Sequence, residues 1–328
     1  MEDVARRAGV SPMTVSRTLR TPEKVAPATR DRVARAVAEL DYVPDLMAGA
    51  LAAKRSRLVA VIVSTLENSI FAATVEGLTT VLRAEGYSVL LGASGYSAEV
   101  EEQLVRAALG RRPDGIVLTS DLHTPTARRL LQASGIPVVE TWELPEQPVD
   151  LAAGFSNRDA GAAMVHMLHA CGYRRIAFVG TALEDDRRGH LRLQGYREAL
   201  AELGAGPPRE VALPIVVAGI TDGPLALQAL RTAHPDADAA FCVFDTLAAG
   251  LILACRRQDL AVPGQLAVAG FGDFAIAQPD GLDITTVRVS GRSIGSHAGE
   301  LLLARLRGET VDRPVRDLGF QVIRRSSA

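Results

Sequence analysis

The chain has 328 residues, of which 48% are apolar, 23% charged and 4% aromatic, with a formal charge of −2 at pH 7. That length exceeds one typical hydrophobic core and predicts two or three compact units of ordinary soluble composition. No apolar run reaches the roughly 18 residues of a membrane span, and the polar start from Glu2 lacks a signal-peptide stretch, so a cytoplasmic protein with no membrane partner is expected.

Cys171, Cys242 and Cys255 are odd in number, lack metal-type spacing and sit among apolar neighbours. They read as buried, reduced thiols. The small net charge conceals an asymmetry. Residues 1–57 carry 11 Lys and Arg against 7 Asp and Glu, while the remainder carries 25 against 31. A positive head suits phosphate contact and a negative body does not. Only Lys24 and Lys54 are lysines, so arginine abundance by itself is compositional and says nothing of nucleic acid.

In chain order, the stretch from Val4 to Ala8 predicts a short helix closed by Gly9, where positive φ permits a sharp turn. Ser11 is placed to cap a second helix, and Pro12 suits its first position. Helical spacing puts Val15 and Leu19 on one face, Met13, Arg17 and Arg20 opposite, and Ser16 on the flank. A polar, partly basic outer face on a short second helix is what insertion into the DNA major groove requires. A third helix is predicted over Pro27 to Leu40, turning Val33, Val37 and Leu40 inward. Asp41-Tyr42-Val43-Pro44 then breaks the pattern. The alanine-rich piece from Leu46 to Ala53, ahead of Lys54-Arg55-Ser56-Arg57, is too short for a stable isolated helix and reads as a hinge that orders only when held.

From Leu58 the texture alternates between apolar strand, turn and amphipathic helix. Strands are predicted at Leu58–Val63, Ser88–Gly92, Gly115–Leu118 and Pro137–Glu140. A second set falls at Arg175–Val179, Glu210–Leu213, Ala239–Val243 and Leu266–Ala269. Helices are predicted at Phe71–Glu85, Asp159–Ala170, Leu193–Leu203 and Ser290–Leu306. Strands this uniformly apolar are covered on both faces, which predicts parallel sheets with helical crossovers in two α/β lobes facing a cleft.

These residues strongly resemble the LacI/GalR family of bacterial transcription regulators. The likeness is carried by Asp3-Val4-Ala5, Ala8-Gly9-Val10-Ser11, Thr14-Val15-Ser16-Arg17, Thr29-Arg30 and Leu40-Asp41-Tyr42-Val43-Pro44. Within the family the likeness is to gluconate-operon repressors, through Leu118-Thr119, His123-Thr124-Pro125, Gly270-Phe271-Gly272-Asp273, the run from Arg305 to Glu309 and Asp317-Leu318-Gly319-Phe320. The implied fold is α/β: a three-helix helix-turn-helix head, then a two-lobed periplasmic-binding-protein-like core with parallel sheets. The expected divisions are a head at 1–44, a hinge and linker at 45–57 and an effector-binding, dimerising core at 58–328. Its first lobe is expected near 58–155 and 287–316, its second near 156–286 and 317–328.

The resemblance also implies site residues. Ser11, Pro12, Met13, Thr14, Ser16 and Arg17 would contact DNA. Arg17 suits a guanine edge, Thr14 and Ser16 suit phosphate, and Pro12 and Met13 offer only apolar contact such as a thymine methyl. Thr29 and Arg30 open the third helix, where a phosphate is favoured. Leu51 stands where the family inserts an apolar wedge into the minor groove, while Asp45 departs from the Asn usual after the hinge proline. For a sugar-acid effector, Arg192 stands three residues before Gly195 in Arg192-Leu193-Gln194-Gly195-Tyr196, with Arg188 one turn earlier. Ser64, Thr65, Phe71, His123, Thr124, Glu140, Asp245 and Asp273 complete the expected cleft, with Asp186 a weaker candidate, because ligands bind outside the carboxyl ends of parallel strands. Phe244 and Gly272 replace polar residues that many relatives carry.

The expected partners are a pseudo-palindromic operator, a small sugar acid such as gluconate, and a second copy of the chain. No metal, cofactor or catalytic residue is expected: the chain has no P-loop, G-x-S-x-G, H-E-x-x-H or Rossmann glycine fingerprint. A transport receptor for sugars is opposed by the head. Family members carry a few residues before Asp3-Val4-Ala5, whereas Met1-Glu2 opens almost inside the first helix here. Either a longer natural start or a first helix without its cap is expected.

Overall fold

The computed structural model describes residues 1–43, 55–66, 69–120, 122–184, 186–215 and 218–328, and the side chains of Arg20 and Ser69 lie outside it. They fall into two compact units, Met1–Ser56 and Arg57–Ala328. No helix among them is long and apolar enough to cross a membrane.

In the first unit, α1 (Glu2–Ala8), α2 (Pro12–Arg20) and α3 (Pro27–Glu39) enclose a core of Val4, Ala5, Ala8, Val15, Val33 and Ala36. Gly9 adopts φ 62° and ends α1, and Ser11 accepts the Thr14 N–H at 3.1 Å to start α2. Met1 gives α1 no side-chain cap. The faces differ in two places from the helical-spacing expectation. Thr18, rather than Leu19, joins Val15 inside: its hydroxyl donates to the Thr14 carbonyl at 2.8 Å, so its burial strands no polar group. Leu40 lies past the last turn of α3, 43% exposed, and Tyr42 packs against the core instead.

In the second unit, a six-stranded parallel sheet runs in the order β2-β1-β3-β4-β5-β11 and a four-stranded parallel sheet in the order β7-β6-β8-β9. The strands of the first are β1 (Leu58–Val63), β2 (Ser88–Ala93), β3 (Gly115–Leu118), β4 (Val138–Thr141), β5 (Leu151–Gly154) and β11 (Val315–Asp317). Those of the second are β6 (Ile176–Thr181), β7 (Arg209–Leu213), β8 (Ala239–Cys242) and β9 (Ala267–Ala269). A small antiparallel pair, β10 (Thr286–Arg288) and β12 (Gln321–Ile323), continues beside β9 through a bridge from Ala269 to Thr285. The helices are α4 (Ser69–Ala84), α5 (Ala98–Leu109), α6 (Pro125–Ala133) and α11 (Gly291–Leu306) around the first sheet. Around the second lie α7 (Asn157–Ala170), α8 (Arg187–Leu203), α9 (Gly223–Ala233) and α10 (Asp245–Arg257). Four strands, β5, β10, β11 and β12, lie beyond the eight predicted. All are short, and β11 is not apolar enough to register as a strand by composition.

The same device seats a helix pair in each lobe. A Cβ on Gly295 of α11 would lie 1.9 Å from the Thr74 carbonyl oxygen of α4. One on Gly195 of α8 would lie 1.8 Å from the Arg158 carbonyl oxygen of α7. Backbone therefore touches backbone at both crossings, and no side chain fits between. Tyr196, the next residue, is fully buried and its hydroxyl donates to the Ile176 carbonyl at 2.8 Å while accepting the Arg209 N–H at 2.8 Å. Together these fix the rotation of α8 and hence where Arg192 points.

At the start of α10, Asp245 is fully buried and ties two segments together. One carboxylate oxygen accepts the Phe274 N–H at 2.8 Å and the other the Thr286 hydroxyl at 2.6 Å. Burial pushes its carboxyl from 3.8 up to about 7, against the opposing pull of those two donors.

Two outcomes are expected. Gly295→Val should lower stability by about 3 kcal/mol in urea unfolding, from forced separation of α4 and α11; a loss below about 0.5 kcal/mol would show that the crossing is not rigid. For Asp245 the folded carboxyl holds its proton where the unfolded one has lost it, so stability should fall as pH rises from about 4 to about 7. Asp245→Asn should flatten that slope relative to the parent protein, and an unchanged slope would rule the group out as its source.

Candidate functional site

The loops after β1, β2, β3 and β4 in one lobe and after β6, β8 and β9 in the other meet at a cleft, as expected for the carboxyl ends of parallel strands. Arg192 dominates the second lobe's wall. Its side chain is 1% exposed, and its guanidinium packs on two rings, 4.3 Å from the centroid of Phe271 and 5.1 Å from that of Phe244. Nη1 donates to Asn157 Oδ1 at 2.7 Å, while Nε and Nη2 have no hydrogen-bond partner among the described residues. Burial lowers its pKa to about 10, so it stays charged at neutral pH.

Arg188, one turn earlier, faces the other lobe. Its Nη2 donates to Ser64 Oγ at 2.9 Å and its Nη1 to the Thr119 carbonyl, with the guanidinium over the rings of Phe71 and Tyr96. A pocket beside it is lined by Ser64, Ser94, Tyr96, Ser120, Asp186 and Glu101, among others. Asp186 caps α8 by accepting the Gly189 N–H at 3.0 Å. Thr65 follows Ser64 and is buried, and Phe71 is buried edge-on against Trp142 at 5.4 Å.

Five of the expected effector contacts are taken up elsewhere. His123 is enclosed by carboxylates, with Nδ1 2.5 Å from Glu101 and Nε2 3.1 Å from Glu140. Burial alone would lower its pKa, but the two carboxylate bonds outweigh burial and raise it to about 9, leaving an imidazolium with no free nitrogen. Glu140 spends its other oxygen on the Val149 N–H at 2.6 Å. Thr124 caps α6 and donates to Glu102 at 2.5 Å. Asp245 is consumed by Phe274 and Thr286, as above. Asp273 accepts from Arg288 at 2.5 Å, Arg325 at 2.7 Å and Gln278 at 2.8 Å. Burial works against its ionisation, yet those donors hold its pKa below the ordinary value.

Conversely, Asn157, Phe244, Phe271, Thr119 and Tyr96 join the cleft without having been predicted as contacts. The signal was present for Phe244, whose departure from the family's polar residue makes sense as a face for Arg192.

On the first unit, α2 exposes Pro12, Met13 and Arg17, with Met13 70% exposed, while Thr14 and Ser16 are half-buried. The Ser11 hydroxyl is committed to the cap and to Thr14 Oγ1 at 2.9 Å. Thr29 and Arg30 are half-buried in the first turn of α3. Ala26 is the capping residue there, so Thr29 is not the cap. Leu51 and Asp45 lie outside the described residues.

Comparison with known proteins agrees with this layout. Residues 1–45 match the bacterial regulatory proteins of the lacI family, and residues 165–328 match a periplasmic binding protein-like domain. The HTH-type transcriptional regulator GntR of Pseudomonas aeruginosa is 39% identical over 328 residues, covering 100% of this chain and 95% of that protein. A LacI-family transcriptional regulator from Silicibacter pomeroyi superposes with a TM-score of 0.91 at 34% identity, covering 99% of this chain and 98% of that one. The lac repressor dimer bound to operator and the anti-inducer ONPF gives a TM-score of 0.85 at 25% identity, covering 99% of this chain and 97% of that one. This chain belongs to the LacI family of bacterial DNA-binding transcriptional regulators.

Proposed function

We propose that this regulator is a homodimeric repressor of genes for sugar-acid use, released from its operator when a gluconate-type acid occupies the cleft. One observation carries the effector reading: Arg192 is buried and charged, yet its Nε and Nη2 atoms have no hydrogen-bond partner among the described residues. Leaving buried donors unsatisfied costs about 1–3 kcal/mol or more for a charged group. Nε–H and Nη2–H lie on one edge of the guanidinium plane and point the same way, which is the fork a carboxylate accepts. Phe271 and Phe244 pack on the guanidinium at 4.3 and 5.1 Å, and the Nε–Nη2 edge is where its hydrogen-bonding capacity is left for an acid. The serines and Tyr96 that line the pocket beside Arg188, one turn away on the same helix, suit the hydroxyls of a polyol chain. Gly272 and Phe244, standing where relatives carry polar groups, remove competitors for a cationic centre that is to hold an acid. The gluconate assignment follows from the family likeness of the sequence and the charge of this site.

For DNA, the exposed row Pro12, Met13 and Arg17 on α2 is the reading surface of this proposal, with Thr29 and Arg30 at a backbone phosphate. A head with a core of six small or medium residues makes few contacts alone, and joining two of them raises the effective concentration of the second. The operator-bound lac repressor structure is itself a dimer, which supports the same assembly here. The acid acts by binding one arrangement of the lobes more tightly than the other, and the linked hinge carries that preference to the heads.

Titration calorimetry with gluconate tests the site. Arg192→Ala should weaken binding by about 30-fold or more, as expected for removing the partner of a buried charge. Arg192→Lys should recover little, because an ammonium has no fork. Undiminished binding by Arg192→Ala would sink the assignment. In operator titrations Arg17→Ala should lose about 1–3 kcal/mol and relax base preference at one position. A protein whose operator affinity rises with gluconate would instead be co-repressed, contrary to the proposal.

A further inference from the structure

Arg188 and Arg192 share a helix and a cleft, but their surroundings divide sharply. Arg192 touches Asn157, Phe244 and Phe271 and keeps a donor edge unmatched. Arg188 instead reaches across to the first lobe with both Nη atoms, to Ser64 Oγ and the Thr119 carbonyl, and rests on Phe71 and Tyr96. Each of those four residues belongs to the first lobe: Ser64 follows β1, Phe71 lies on α4, Tyr96 follows β2 and Thr119 follows β3.

Both ends of this connection are firm. On the far side, Thr119 Oγ1 accepts the Ser64 N–H at 2.8 Å, tying the tips of β1 and β3 into one acceptor site. On the near side, Asp186 caps α8, Gly195 seats the helix directly on α7, and Tyr196 anchors it to the second sheet. Arg188 is 9% exposed, so its charge-assisted bonds form away from bulk water, where they are strongest. An arginine with both Nη atoms bonded to the opposite wall has less to offer a ligand than Arg192, and much to offer the joint between two lobes.

We propose that Arg188 is a latch between the lobes: it sets how far the closed arrangement is populated, and leaves Arg192 to take the acid. This replaces the expectation that Arg188 is an effector contact. What closure does to operator binding rests on the function proposed above; the latch itself does not.

The chain's single tryptophan gives a readout that needs neither DNA nor acid. Trp142 is 2% exposed and packs edge-on against Phe71, the ring beneath Arg188. It also meets Phe155 at 6.0 Å, which stacks on Phe271 beneath Arg192, so the aromatic row joins the two arginines through Trp142.

The test is acrylamide quenching of Trp142 in the full-length protein, dialysed free of small acids, comparing the parent with Arg188→Met. Methionine keeps an unbranched apolar stem and removes every donor. Quenching should rise about threefold or more in the variant, and gluconate affinity should fall about tenfold because binding must now also close the lobes. Saturating gluconate should return the quenching toward the parent value. Weakened gluconate binding with parent-like quenching would make Arg188 an ordinary ligand contact and overturn the latch. If the parent binds no gluconate, the effector reading fails, while the quenching comparison still decides the latch. Ser64→Ala removes one acceptor from the opposite wall and guards against a folding defect in Arg188→Met. Its quenching should rise as well, by a smaller factor, and parent-like quenching in a folded Ser64→Ala would also count against the latch.

Discussion

Withdrawing a guanidinium from water is costly unless its surroundings compensate, and the burial of Arg192 sets the terms for those surroundings. Two ring faces, one amide oxygen and a helix crossing too tight for any side chain hold it in place. Phe271 serves Arg192 and also stacks on Phe155, which reaches Phe320 and Trp142. The charged centre and the packing between the lobes are therefore one construction. A shift in the guanidinium is felt by rings that belong to both lobes, because close-packed interiors transmit displacement rather than absorb it.

The same accounting separates structural charges from functional ones. His123 lies between two glutamates with both nitrogens used, Asp273 accepts from three side chains, and Asp245 has a donor on each oxygen. These groups are as buried and as charged, or chargeable, as any in the cleft, but each of their polar atoms already has a protein partner. Arg192 differs in having donors left over. Residue type and position after a strand are shared by both kinds of group, so neither distinguishes them. The number of unmatched donors does.

Much of the architecture was legible from local pattern. Apolar runs marked β1 and β3 from end to end, and helical spacing found α4, α7 and α11 within two residues at either end. The start of α8 was missed by six residues, since Arg187-Arg188-Gly189-His190 has no apolar spacing and is helical because Asp186 caps it. On α2, helical spacing put Leu19 on one face with Val15, yet the buried position went to Thr18, whose hydroxyl is satisfied by its own helix. The motif around Arg192 pointed to the right helix. Its glycine proved to be a contact between backbones and its tyrosine an anchor to the sheet, two roles the spacing alone did not distinguish.

By itself the sequence determined what depends on neighbours along the chain. Gly9, Ser11 and Pro12 end one helix and start the next through φ preference and a hydroxyl three residues from its partner, and apolar alternation sets strand against helix. The partnership of charges was decided only by the tertiary structure. Arg188 meets Ser64 across 124 residues, Arg192 meets Asn157 across 35, and Asp273 meets Arg325 across 52. Whether a charge in this chain is spent or spare is a property of those long-range encounters. Local spacing carries no record of them, because the folded sheets, and not the order of residues, bring the partners within reach.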